Sequence, residues 1–175
     1  MANHLEDLIC QYYDWKGCIV RRNVKVGRRA KGGYDGELDV VIYDHKTNKV
    51  LHYEPSTDAS QWMKRELKYK RKFDVGKKYI RDVFPWLPPD FQLEQIAVFF
   101  QVPEKRRMFQ GGIAISIDAL VGMICEEVKV RGRVGKNAIP EQYDLLRMAQ
   151  LIICGYVKPW SSQEMDSIRQ IQRNK

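Results

Sequence analysis

Gly36-Glu37-Leu38-Asp39-Val40-Val41-Ile42-Tyr43, followed after a polar stretch by Val50-Leu51-His52-Tyr53-Glu54-Pro55-Ser56-Thr57-Asp58, governs the architecture of this chain. Leu38 to Tyr43 is nearly all β-branched, aromatic or aliphatic, the composition of a strand buried on both faces. Asp44 to Lys49 is polar and reads as a turn, and Val50 to Glu54 returns as a second strand. A turn centred between Lys46 and Thr47 sets Asp39 opposite Glu54, with Cβ atoms roughly 4.5–5.5 Å apart. Two like charges at that distance repel unless a cation offsets them, and a hard divalent cation takes carboxylate oxygens. Alternation places Glu37 and His52 on the acidic face, and Leu38, Val40, Ile42, Leu51 and Tyr53 on the other. The competing reading is an ordinary hairpin with two solvated acids, and a one-residue slip in register would part the acids.

To the N-terminal side, Leu5, Leu8, Ile9 and Tyr12 recur at helical spacing, which predicts a helix over about 2–14 with Asn3 as N-cap and Gly17 as its stop. Cys18 to Val26 is rich in β-branched residues and reads as a strand. The loop Gly27 to Gly36 combines four glycines with Arg28, Arg29 and Lys31, a flexible cationic backbone suited to phosphate contacts.

To the C-terminal side, Asp58 is an N-cap for a helix from 59 to about 73, made strongly basic by Lys64, Arg65, Lys68, Lys70, Arg71 and Lys72. A basic helix beside a pair of acids suits a phosphate track. A further helix over 75–84 stops at Pro85-Trp86-Leu87-Pro88-Pro89. Gln95 to Val102 reads as a buried strand, 103–110 as a basic loop, and Gly112 to Ile117 as a short strand. Asp118 caps a helix to about Lys129, 130–138 is a basic loop, Pro140 opens a last long helix, and a short helix is expected within 160–175.

The chain has 175 residues and reads as one domain, with a core over 1–117 and a helical C-terminal extension over 118–175. Its net charge of +8 favours an acidic partner, nucleic acid first. The four cysteines form no CxxC pair, so zinc is disfavoured and reduced thiols are expected. With no apolar run of transmembrane length and no signal peptide, the expectation is a cytoplasmic protein without a membrane partner.

The order helix, strand, acidic strand, acidic strand, helix, strand resembles the PD-(D/E)XK, or restriction-endonuclease-like, nuclease superfamily. Glu6 matches its helical acid, Glu37-Leu38-Asp39-Val40-Val41 its second motif, and Glu54-Pro55-Ser56 its third in part. The resemblance implies an α/β fold with a mixed β-sheet flanked by helices, here followed by additional C-terminal helices. It also implies Mg²⁺-dependent cleavage of DNA, with Mn²⁺ as a substitute metal. Asp39 and Glu54 would be catalytic and metal-holding, the carbonyl of Pro55 a further ligand, and Glu6 a supporting acid. Arg28, Arg29, Lys31 and Lys68 would hold the nucleic-acid backbone, and a homodimer would let two sites cut two strands. The departure is Ser56, where the superfamily has lysine; a lysine positions water and stabilises charge at phosphorus, which serine cannot do. Either the following helix supplies the cation, Lys64 first and Lys68 second, or the chain is an inactive nuclease fold that binds nucleic acid or another protein.

Overall fold

Alternating apolar strands and one long amphipathic helix build a six-stranded mixed sheet flanked by helices in the computed structural model, which describes residues 4–58, 60–154 and 170. The chain divides into two compact units, Met1–Glu126 and Glu127–Lys175.

The first unit opens with α1 (His4–Trp15), whose Ile9 and Tyr12 are buried and which ends at Gly17 in the left-handed region, φ 82°. The strands are β1 (Ile19–Arg28), β2 (Tyr34–Asp44), β3 (Lys49–Pro55), β4 (Gln92–Phe99), β5 (Met108–Phe109) and β6 (Gly112–Ser116). Their order across the sheet is β1-β2-β3-β4-β6-β5. β1–β2, β2–β3 and β5–β6 are antiparallel, whereas β3–β4 and β4–β6 are parallel. The parallel β3–β4 pair requires a crossover, and α2 (Trp62–Val83) provides it.

The expected hairpin forms. Asp44 pairs with Lys49, and the Asp44 carboxylate accepts hydrogen bonds from the Lys46 amide at 3.0 Å and the Thr47 hydroxyl at 2.7 Å, which closes the turn locally. From there the β2–β3 ladder runs to Val40–Tyr53 and stops. β2 continues paired to β1 alone, and β3 continues paired to β4 alone. Asp39 and Glu54 are the first residues beyond that last pair, so both acids stand in a fork between diverging strands.

Several boundaries differ from expectation. β1 and β2 pair out to Arg28–Tyr34, so half of the glycine-rich stretch lies in the paired strands and only 29–33 is loop. Leu38 was expected on the face of Val40 and Ile42, but it packs in a cluster with Val41 and Tyr43. Across from this change of face lies Asn23, whose φ is 52°. The helices expected over 59–73 and 75–84 are one helix, α2, which runs unbroken through Asp74, Val75 and Gly76. Asp58 is not its N-cap: it accepts from the Ser60 amide at 2.9 Å, and Gln61 occupies the cap position. The expected Asn3 cap and 160–175 helix lie outside the described residues, apart from Gln170.

α2 buries Tyr69, Phe73, Gly76 and Ile80, a stripe at helical spacing. Ile80 and Phe84 close one apolar cluster with Val26, Leu38, Val41, Tyr43, Val50 and Leu87. Tyr69 and Phe73 close a second with Ala97, Phe99, Phe109 and Ala114. Gly76 lies between these two anchor points on the helix, and Lys72 directly precedes Phe73.

α3 (Ile117–Arg131) is capped by Ser116, whose hydroxyl accepts from the Ala119 amide at 3.0 Å, not by Asp118. The unit boundary falls inside α3. In the second unit are α4 (Val134–Asn137) and α5 (Asp144–Ile153); α5 starts four residues after Pro140. There Gln150, fully buried, accepts from the Ile139 amide at 3.0 Å and donates to the carbonyls of Gly132 at 2.8 Å and Asn137 at 2.9 Å.

Candidate active site at the strand fork

Asp39 and Glu54 meet a single lysine at the fork. Lys72 Nζ donates to Asp39 Oδ2 at 2.9 Å and also to Glu54 Oε2. Glu54 is wholly buried, and the side chains of Asp39 and Lys72 are 16% and 27% exposed. A carboxylate removed from water needs charge and hydrogen bonds to offset its lost hydration. Glu54 obtains both, since its second oxygen, Oε1, lies 2.9 Å from His52 Nε2.

The network continues inward. His52 Nδ1 lies 3.1 Å from Gln95 Nε2, and that amide nitrogen also donates to the Phe73 carbonyl at 2.8 Å. The Phe73 contact fixes which end of the Gln95 amide points inward, because a carbonyl can only accept. The other amide proton is directed to His52 Nδ1, which is therefore an acceptor. The ring proton then sits on Nε2 and is donated to Glu54.

α2 accommodates this network by omitting a side chain. A Cβ on Gly76 would lie 2.5 Å from His52 Nδ1 and 2.8 Å from Gln95 Nε2. Glycine within a helix costs about 1 kcal/mol relative to alanine, and here the space is filled by the histidine ring.

The two acids are driven in opposite directions. Burial, then the adjacent Glu54 carboxylate, push Asp39 up to about 8 against the pull of Lys72. Burial also acts to raise Glu54, but hydrogen bonds from His52 and Asp39 and the Lys72 charge outweigh it and hold Glu54 at about 2. Burial acts to lower Lys72, yet the Glu54 and Asp39 charges outweigh it and hold its ammonium above the usual lysine range. Burial and the neighbouring carboxylate thus drive Asp39 toward its neutral form, while His52 and Lys72 favour the ionised form of Glu54 and the two acids favour the charged form of Lys72.

Asp39 and Lys72 open onto a cleft of about 550 Å³ also lined by Glu37, Lys68 and Arg71. A second cleft of about 410 Å³ shares Asp35, Leu67, Arg71 and Val75 with it and adds Arg29, Lys70 and Lys78. The two share lining residues along α2, which contributes Lys68, Lys70, Arg71, Lys72 and Lys78, and acids from β2 and α2 line them as well.

The other residues expected at the site are distributed as follows. Lys68 lines the cleft but does not provide the cation between the acids. Lys64 is exposed eight residues before Lys72, about 12 Å along the helix axis and roughly 80° around it. Arg29 donates to Asp35 at 2.8 Å and lines the second cleft. Arg28 ends β1, and Lys31 is exposed in the hairpin loop. Glu6 is partly buried on α1, and after burial its charge is the main influence that pushes the Cys10 thiol up to about 11.

Sequence reasoning missed Lys72, His52 as a partner of Glu54, and Gln95. Each left a trace: Lys72 adjoins the Tyr69-Phe73-Gly76-Ile80 stripe, His52 precedes Glu54 by two residues, and Gln95 is the polar residue just before the apolar run Ile96-Ala97-Val98-Phe99.

Among the described residues no three His, Cys, Asp or Glu side chains gather into a metal cage, and no helix is long and apolar enough to cross a membrane. No protein-family model matches the chain, and neither does any curated protein.

Proposed function

We propose that this chain is a metal-dependent nuclease with a restriction-endonuclease-like core, hydrolysing DNA phosphodiester bonds at Asp39, Glu54 and Lys72. The observation that carries this reading is the meeting of Lys72 with both acids at the fork, beside an open cleft that Lys68 and Arg71 also line. It supplies from α2 the cation that Ser56 does not provide.

The donor set suits magnesium. Two carboxylates without a third ligand residue make a poor cage for a fully coordinated ion, whereas Mg²⁺ binds through one or two carboxylates and keeps several waters. Mn²⁺ favours the same oxygen donors. Asp39 and Glu54 would hold the ion, which when bound lowers the pKa of a water and neutralises charge on the phosphate. Lys72 would then shift its hydrogen bonds from the carboxylates to a non-bridging phosphate oxygen, where negative charge grows. Lys68 and Arg71 hold the flanking phosphates as solvated cations. In the reaction a water oxygen bonds to phosphorus, the bond to one sugar oxygen breaks, and that oxygen leaves as a hydroxyl after taking up a proton.

A second reading, nucleic-acid binding without cleavage, is favoured by one observation: Lys72 pairs with both acids, so a side chain of the protein itself supplies the positive charge between them. Cleavage of single- and double-stranded DNA with Mg²⁺ or Mn²⁺ separates the two. The nuclease reading expects activity that is lost in Asp39→Ala and Lys72→Ala and kept in Lys64→Ala. Wild-type protein that binds DNA in EDTA but never cuts it would establish the binding reading instead.

A further inference from the structure

We propose that His52 is a positioning residue: it donates its Nε2 proton to Glu54 Oε1 and so reserves Glu54 Oε2 for the ion and Lys72. This deepens the nuclease reading and rests on it. The warrant is geometric. Glu54 and His52 are both wholly buried, with 2.9 Å between Glu54 Oε1 and the ring nitrogen. Gln95, itself 3% exposed, holds the far side of the ring and is anchored on the Phe73 carbonyl. The missing Cβ at Gly76 leaves room for the ring, since a Cβ there would lie 2.5 Å from His52 Nδ1 and 2.6 Å from His52 Cε1.

The consequence concerns which carboxylate oxygen faces the chemistry. A carboxylate free to rotate presents either oxygen, or both, to an ion. With Oε1 engaged by a neutral donor that is locked from behind, Glu54 presents a single oxygen in a fixed direction. Partners of this kind orient metal-binding groups and tune their affinity. The buried carbonyl oxygen of Gln95 has no partner among the described residues. A buried polar atom without a partner is costly, and the orientation that strands it is the one that keeps the donor on His52 Nδ1.

The test uses the full chain and Mn²⁺ itself as probe, read by electron paramagnetic resonance, with thermal melting to confirm folding. His52→Leu keeps bulk and removes the donor; His52→Gln keeps an N–H near the position of Nε2. Folded His52→Leu should bind Mn²⁺ about 10- to 100-fold more weakly, while His52→Gln stays within about threefold of wild type. Equal affinity in wild type and folded His52→Leu overturns the proposal, as does a folded His52→Gln that loses affinity as fully as His52→Leu. If His52→Leu does not fold, the imidazole ¹⁵N spectrum of the wild type decides. The chain has three histidines, and His52 is assigned by its disappearance in His52→Gln. A proton on Nε2 supports the proposal and a proton on Nδ1 overturns it. Wild-type protein that takes up no Mn²⁺ and cuts no DNA would remove the nuclease reading itself; metal uptake without sensitivity to His52 would remove only this inference.

Discussion

Replacing Lys72 with methionine keeps most of the aliphatic stem and deletes the ammonium, leaving two acids facing each other at the fork. Breaking a buried ion pair from one side costs about 3–5 kcal/mol. Lys72 and Asp39 retain some solvent contact, at 27% and 16% exposure, and Asp39 can remain protonated, so the lower end of the range applies, about 3 kcal/mol. For a chain of this length 1 kcal/mol moves the melting temperature by about 2–4 °C, so apo Lys72→Met should melt about 6–12 °C below wild type. Magnesium should then reverse the order of response. With the ammonium gone, a divalent cation becomes the remaining source of positive charge between Asp39 and Glu54, and saturating it at about 100 times Kd restores about 2.7 kcal/mol. The Mg²⁺-induced rise in melting temperature should therefore be larger in the variant than in wild type, measured by differential scanning fluorimetry over a Mg²⁺ series. Cleavage should not recover with stability. Loss of a group that stabilises charge on the phosphate lowers kcat by about 10²–10³-fold. A variant that melts within 2 °C of wild type, or that gains no more from Mg²⁺ than wild type does, would refute the geometry argued for the fork.

Other outcomes follow from the same structure. Gly76→Ala gains about 1 kcal/mol of helix propensity but forces a methyl against His52 and Gln95, an overpacking cost of about 1–3 kcal/mol, so chemical denaturation should show a net loss of up to about 2 kcal/mol. A raised carboxyl pKa in the folded state means that the native protein binds the proton more tightly than the unfolded chain. Asp39 thus contributes stability that is complete below its usual value of 3.8 and lost as pH rises through about 8. Between those limits apo wild type should lose stability relative to Asp39→Asn, as measured by urea midpoints across the range. Glu54 has the opposite sign: its contribution is present above 4.5 and lost as pH falls through about 2. If Lys68 and Arg71 hold phosphates, the double alanine variant should flatten the dependence of log K on log salt by about 1.8 in fluorescence anisotropy with duplex DNA. The Cys10 thiol, pushed up to about 11, should be alkylated at pH 8 more slowly than a free cysteine, as followed by mass spectrometry.

The hairpin, its register and the two acids were legible in the chain because the forces that make them are local. Asp44, Thr47 and Asn48 build the turn from side chains within a few residues, and strand alternation carries that register outward to Asp39 and Glu54. The basic character of α2 was also open to reading, and with it the expectation that one of its lysines would stand beside the acids. Which lysine does so was not. Lys64, Lys68 and Lys72 differ in height and phase on one helix, and the phase is set by Tyr69, Phe73 and Ile80 settling on strands distant in sequence. The same holds for the role of Gly76, which emerges only when His52 and Gln95 are brought against it. Burial, finally, is a property of the assembled sheet: Glu54 and His52 are polar residues in a polar-looking segment, and only the closing of α2 over β3 and β4 withdraws them from water. That withdrawal separates the proton affinities of Asp39 and Glu54, because the strength of a charge–charge contact depends on the dielectric around it, and the dielectric is made by packing.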